Sequence, residues 1–117
     1  MAVKRIVANI DTPNVKDLRA FYVDVFEMDV VMDQDWIATL ASGARGPVQL
    51  SIASEGGSGT AVPDISIEVD NIEVIYARVT ELGHPIEYAL TQESWGVRRF
   101  YVRDPAGKLL NVMTHLE

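Results

Sequence analysis

Residues 3–11 alternate apolar and polar positions in a β-rich run, which is the period of a half-buried strand. Asn14 then stands where a helix N-cap belongs, with Asp17 three residues on in the manner of a capping box. Val15, Leu18, Tyr22 and Val25 follow at helical spacing and predict a buried stripe, which Phe21 and Phe26 widen. Three strands are predicted next, at about 28–33, 35–41 and 46–53. The breaks between them are Asp33-Gln34-Asp35 and Ser42-Gly43-Ala44-Arg45-Gly46. A Gly/Ser-rich linker, EGGSGTAVP at 55–63, follows.

After the linker the pattern begins again. Asp64 to Val69 alternates as a strand, and Asp70 or Asn71 caps a helix whose buried face is Ile72, Ile75, Val79 and Leu82. Gly83 and Pro85 end that helix, and strands are predicted at about 86–91, 97–103 and 108–114. An offset of 57 residues sets Asn14-Val15 on Asn71-Ile72, Val7 on Asp64 and Ile10 on Ile67. Agreement across strand and helix points to an internal duplication. The expected fold is therefore α+β, with two tandem βαβββ modules forming a curved mixed sheet around a concave cleft. The modules, about 1–54 and 63–117, together make a single domain.

Strand alternation sorts the side chains onto two faces. Ile6, Ala8 and Ile10 oppose Arg5, Val7 and Asn9, while Val48, Leu50 and Ile52 oppose Gln49 and Ser51. In the second module Ile65, Ile67 and Val69 oppose Asp64, Ser66 and Glu68, and Leu110 and Val112 oppose Leu109, Asn111 and Met113. The apolar sets are expected under the helices. The opposite sets mix small polar and apolar groups, the lining of a ligand cleft or the semi-exposed face of a sheet.

Composition narrows the function. The chain has 117 residues, 48% hydrophobic and 23% charged, with no apolar run long enough for a membrane span. Its opening, MAVKRIVANIDTP, reads as a strand rather than a secretion signal, so the expected location is cytoplasmic. There are no cysteines, which excludes disulfides, thiolate metal sites and cysteine nucleophiles. Net charge is −7 with a pI near 4.7, which repels a phosphate backbone and excludes nucleic acid as the expected partner. The acidity serves solubility or steers a cationic ligand. No phosphate-binding loop or nucleophile elbow is present.

The most specific signal is the stretch WGVRRFYVRDPAGKLLNV at 95–112. Trp95, Gly96, Arg98 and Phe100, followed by Asp104, Pro105 and Gly107 before an apolar strand, resemble the glyoxalase/bleomycin-resistance/dioxygenase group, the vicinal-oxygen-chelate superfamily. Asn14-Val15 and Phe21-Tyr22 after the first strand fit the same pattern, and the resemblance spans nearly the whole chain. In the turn, Pro105 presets φ, Gly107 takes a left-handed conformation and Asp104 caps turn amides. Trp95 and Arg98 fit either packing at a sheet edge or a stacking wall with an anion clamp.

The resemblance implies a divalent metal held by four inward positions, usually His, Glu or Gln, His and Glu. Those positions here are Val7, Gln49, Asp64 and Asn111. Valine has no lone pair to give and two of the others are neutral amides, so at best a weakly bound divalent metal is expected and no cofactor is called for. His84 reads as an exposed turn residue and His115 as a frayed tail, although His115 shares the parity of Asn111 and Met113. The expected function is that of a metal-free protein that sequesters or senses a cationic or aromatic small molecule. Gln49, Asp64, Ser66 and Trp95 would line the cleft with Arg98, Tyr101, Asn111 and Met113. The other readings are a metal-dependent glyoxalase- or dioxygenase-like enzyme, and a metal-free enzyme with Asp64 or Glu68 as base and Arg98 or Arg99 holding an oxyanion. A homodimer is expected because two-module relatives commonly pair modules within or across chains.

Overall fold

The computed structural model describes residues 2–42 and 49–116. Among them are eight strands and two helices in the order β1 (Val3–Asp11), α1 (Val15–Phe26), β2 (Asp29–Gln34), β3 (Ile37–Ala41), β4 (Gln49–Ala53), β5 (Ile65–Val69), α2 (Ile72–Glu81), β6 (Ile86–Gln92), β7 (Val97–Arg103) and β8 (Leu109–His115). The fold class is α+β and the βαβββ pattern occurs twice. The break at 43–46 and Val48 lie outside the described residues. The chain forms two compact units, Val7–Val62 and a second comprising residues 1–6 with 63–117. The β1 strand contributes its first residues to the latter and the remainder to the former.

In the Val7–Val62 unit the strand order is β2-β3-β4-β1, with β4 parallel to β1 and the other pairs antiparallel. Helix α1 begins at Asn14, whose Oδ1 accepts from the Asp17 amide at 3.2 Å while its Nδ2 donates to the Asp17 carboxylate at 2.7 Å. The helix ends at Glu27, which takes a left-handed φ of 55° and sends its N–H to the Val23 carbonyl. Val15, Ala38, Leu40 and Ile52 form the core, with Leu18, Tyr22, Val23 and Met28 packed around them. Val25 does not join this core. It is 56% exposed, and Phe21 and Phe26 also face outward, so the buried stripe of α1 runs through Val23. Ala8 is also exposed, because α1 packs over β3 and β4 and leaves this β1 position uncovered; Ile6, in the other unit, is exposed too.

The stretch read as a linker is an ordered turn of this same unit. Gly56 donates to the Thr60 carbonyl at 2.8 Å, and both the amide and the hydroxyl of Thr60 donate to Gly57. Positive φ at Gly57, Ser58 and Gly59 accounts for the glycine content.

In the other unit the order is β5-β8-β7-β6, with β5 parallel to β8 and the remaining pairs antiparallel. Of the two candidate caps for α2, Asn71 is the one used, accepting from the Val74 amide. Its core is Val69, Ile72, Phe100, Val102 and Val112, with Tyr76 set edge-on to Phe100 at 4.9 Å between ring centroids. Leu82 lies past the helix end and is exposed. Asp104 closes the β7–β8 turn as its sequence suggests, accepting from the amides of Ala106 and Lys108 at 2.9 Å each, with Gly107 at φ 81°.

These two burial classes give opposite expectations for single substitutions. Phe100→Ala should cost about 3–5 kcal/mol, the usual loss for a buried phenylalanine. Val25→Ala should change stability by no more than about 0.5 kcal/mol, as for other exposed positions. Urea unfolding of the two variants beside the parent checks both.

Candidate ligand-binding site

Each repeat carries its helix on one face of its sheet and a row of small polar side chains on the other. In the Val7–Val62 unit, register places Thr39 beside Ser51 and Ser51 beside Asn9. Thr39 and Ser51 are buried and their hydroxyls bond each other at 3.0 Å, so this row is closed internally. In the other unit the equivalent row is Tyr101 beside Asn111 and Asn111 beside Ser66. Asn111 Nδ2 donates to Ser66 Oγ at 3.1 Å, but Asn111 Oδ1 accepts no hydrogen bond among the described residues. The Asn111 residue is only 8% exposed. A buried carbonyl oxygen without a donor carries a desolvation cost of about 1–3 kcal/mol, which a ligand's N–H or O–H would relieve.

One step along the sheet lies Arg99, only 3% exposed. Its Nε donates to Glu93 Oε2 at 2.6 Å, and Tyr88 donates its hydroxyl to the same oxygen at 3.0 Å. Arg99 Nη1 donates to the Tyr101 hydroxyl at 3.0 Å. The guanidinium carbon lies 5.1 Å from the ring centroids of Tyr88 and Trp95 and 5.0 Å from that of Tyr101. The β6–β7 hairpin makes this possible. Gly96, at φ 86°, and the bond from the Glu93 amide to the Val97 carbonyl fold Glu93 and Trp95 back beside Arg99.

Across Met113 from Arg99, on the β5 side of the same face, is a second charged group. Glu68 Oε1 accepts from Arg5 Nε and Glu68 Oε2 meets His115 Nδ1, each at 2.9 Å. Burial pushes the Glu68 carboxyl up, but the His115 hydrogen bond and the charges of Arg5, His115 and Lys4 outweigh it and hold the carboxyl below its ordinary value.

The expected cleft residues thus separate. Ser66, Asn111, Met113 and Tyr101 share one face of the second unit, with Trp95 against Arg99 at its hairpin end. Arg98 does not join them. Its parity is that of Phe100, and it pairs with Glu73 of α2 on the helix side. Alternation along β7 was signal enough to find this, since Arg98 and Tyr101 are an odd number of residues apart. Arg99 is the arginine on the Tyr101 face, and Glu93 and Tyr88 enter through the hairpin, which spacing alone did not reveal. Asp64 precedes β5, is exposed, and accepts from the Leu109 amide at 2.8 Å. Gln49 opens β4 in the other unit, half-buried. That unit also carries a shallow cavity of about 190 Å³ lined by Val15, Lys16, Arg19, Asp33, Gln34 and Asp35, which includes none of the expected residues.

A family model describing the glyoxalase/bleomycin resistance protein/dioxygenase superfamily matches residues 7–112. The chain belongs to that superfamily. Among solved structures, a superfamily member from Vibrio splendidus 12B01 shares 24% identity with a TM-score of 0.72, covering 94% of this chain and 97% of that one. A Legionella pneumophila structure named NAD-dependent benzaldehyde dehydrogenase shares 16% identity at TM-score 0.77, over 95% and 99% of the chains. Streptomyces coelicolor methylmalonyl-CoA epimerase also shares 16%, at TM-score 0.75 over 97% and 96%. No curated protein matches the chain. Names this different on one fold leave the activity to be argued from the site.

The positions at which superfamily resemblance implies metal ligands do not fit a metal in this chain. Val7 has no donor atom, Gln49 and Asn111 offer only amides, and one Asp64 oxygen is engaged by a backbone amide. Among the described residues no three His, Cys, Asp or Glu side chains gather to hold an ion. In the same residues no helix is long and apolar enough to cross a membrane.

The buried pair is open to a double-mutant cycle. Glu93→Gln should cost about 3–5 kcal/mol by leaving the Arg99 charge uncompensated, while Arg99→Met with Glu93→Gln should cost less than the sum of the singles. Denaturant unfolding of the four proteins measures the coupling, and additive costs would mean that the two charges do not depend on each other.

Proposed function

We propose that this superfamily member binds a small neutral molecule on the β5–β8–β7 face of its second unit, without a catalytic metal. The observation that carries the reading is the buried Oδ1 of Asn111, without a hydrogen-bond partner among the described residues, in a row whose counterpart in the first repeat, Thr39–Ser51, is closed. The ligand it fits presents an N–H or O–H donor to Asn111 and an apolar or aromatic body to Met113 and Tyr101. A cationic ligand is less well served than the sequence suggested, because Tyr88, Trp95 and Tyr101 already stack against the Arg99 guanidinium. Sequestration or sensing needs no more chemistry than this. The protein in this reading is cytoplasmic and a homodimer.

Thermal melts test the ligand class. A ligand bound only by the native state raises Tm by mass action. Mg, Mn, Ni, Zn and Fe(II) are expected to leave Tm unchanged, while a panel of neutral aromatic amides and phenols contains compounds that raise it. The double variant Ser66→Ala with Asn111→Val removes both partners of one hydrogen bond. It should stay within about 1 kcal/mol of the parent while losing the ligand response. A stoichiometric metal with a clear rise in Tm would overturn the reading in favour of a metal-dependent enzyme. For the assembly, light scattering at micromolar concentration should give twice the chain mass of 12.9 kDa, and a monomer mass would remove the dimer.

A further inference from the structure

Strand β8 does not fray before its end. His115 pairs in register with Val97, which keeps its side chain on the face of Asn111 and Met113 rather than in a loose tail. There the imidazole meets Glu68, two residues along β5 from Ser66. The carboxylate is well fixed, since its other oxygen is held by Arg5. Lys4 and Arg5 of β1 add positive charge around it and keep it ionised. An ionised carboxylate at 2.9 Å from Nδ1 can only accept, so the neutral imidazole carries its proton on Nδ1 and its lone pair on Nε2. The ring is 53% exposed, and Nε2 meets no partner among the described residues.

We propose that His115 is a catalytic base, oriented by Glu68 as a positioning residue, that withdraws a proton from a neutral small molecule lying along this face. The substrate class is a neutral compound with an activated C–H or O–H. The charged groups beside Met113 are Arg99 on one side and Glu68 on the other. Both are already paired, Arg99 with Glu93 and Glu68 with Arg5 and His115, so an ionic substrate would be desolvated there without a free counter-charge. About 13 Å of strand separates Asn111 from His115, with Met113 between them on the same face. The docking half of this inference rests on the binding reading above, whereas the base itself does not.

A carbon acid that needs nothing but a base tests it. With 5-nitrobenzisoxazole, Nε2 takes the ring C–H proton, the C–H electron pair becomes part of the nitrile, and the N–O bond breaks to leave a coloured phenolate. The imidazolium then returns its proton to water. A positioned base contributes about 10²–10⁴-fold, so the full chain should show a saturable rate above buffer that His115→Gln lowers by about 100-fold. The rate should rise with pH to a plateau as one group loses a proton. His84→Gln, in the exposed turn after α2, should leave it unchanged. Glu68→Gln should lower the plateau several-fold, and long-range ¹⁵N NMR should show the His115 proton moving off Nδ1, which His84 serves to calibrate. The two variants' circular dichroism and melts establish that each is folded. A rate no greater than buffer, or one equal in parent and His115→Gln, overturns the proposal. A rate unaffected by Glu68→Gln with the Nδ1 proton in place removes Glu68 from it. The Ser66→Ala with Asn111→Val variant separates the two readings. If it loses ligand binding and keeps the plateau rate at saturating probe, both stand. A parent whose Tm no neutral amide or phenol raises, yet which turns over the probe, removes the docking face and keeps the base.

Discussion

Strand β7 buries both of its faces, and one of them carries an arginine. Phe100 and Val102 go under α2, while Arg99 and Tyr101 are buried on the other side. A guanidinium removed from water must be matched by a counter-charge and hydrogen bonds, or the strand cannot sit there. Glu93 supplies the charge, the Tyr101 hydroxyl accepts one donor, and three rings line the cation's flanks. The geometry of the β6–β7 hairpin, and with it Gly96 in a left-handed conformation, follows from that requirement.

This arrangement also defines what the face offers a ligand. The aromatic surfaces that a Trp-Gly hairpin suggests for cation capture are engaged by the protein's own cation. What stays without a hydrogen bond among the described residues is a buried neutral acceptor, Asn111 Oδ1, beside Ser66 and Met113. The duplication supplies a control within the molecule. Both repeats place a small polar row at the same point of the sheet, and only the first closes it on itself, through Thr39 and Ser51. Since the two rows share an architecture, the difference between them is chemical, a hydroxyl pair in one and an amide in the other.

The charged cluster on the β5 side of the face follows a different logic. Glu68 is partly buried yet stays ionised because Arg5 and His115 share its two oxygens. Three strands are thereby tied together through one carboxylate. The imidazole it holds is fixed in orientation while its far nitrogen reaches solvent, which is how a structural ion pair comes to resemble the acid–base groups of enzymes.

Periodicity and turn chemistry alone determined the α+β class, the repeated βαβββ order, the Asn14 cap and the Asp-Pro-Ala-Gly turn, and narrowed the second cap to Asp70 or Asn71. Each depends on residues within a few positions of one another. The motif at 95–107 was legible as the superfamily for the same reason. Tertiary structure decided the rest. Val25 and Ile6 looked like core and are exposed, because how far a helix covers a sheet is not written in either pattern. That Arg99 rather than Arg98 faces Tyr101 was the exception, since strand alternation already carried it although the motif pointed to Arg98. Glu93 and Tyr88 reach Arg99 only through the hairpin, and Glu68 meets His115 across 47 residues of sequence. Local signals specify elements, whereas a site is made of side chains brought together by strand pairing, and pairing register is fixed only when the whole sheet forms.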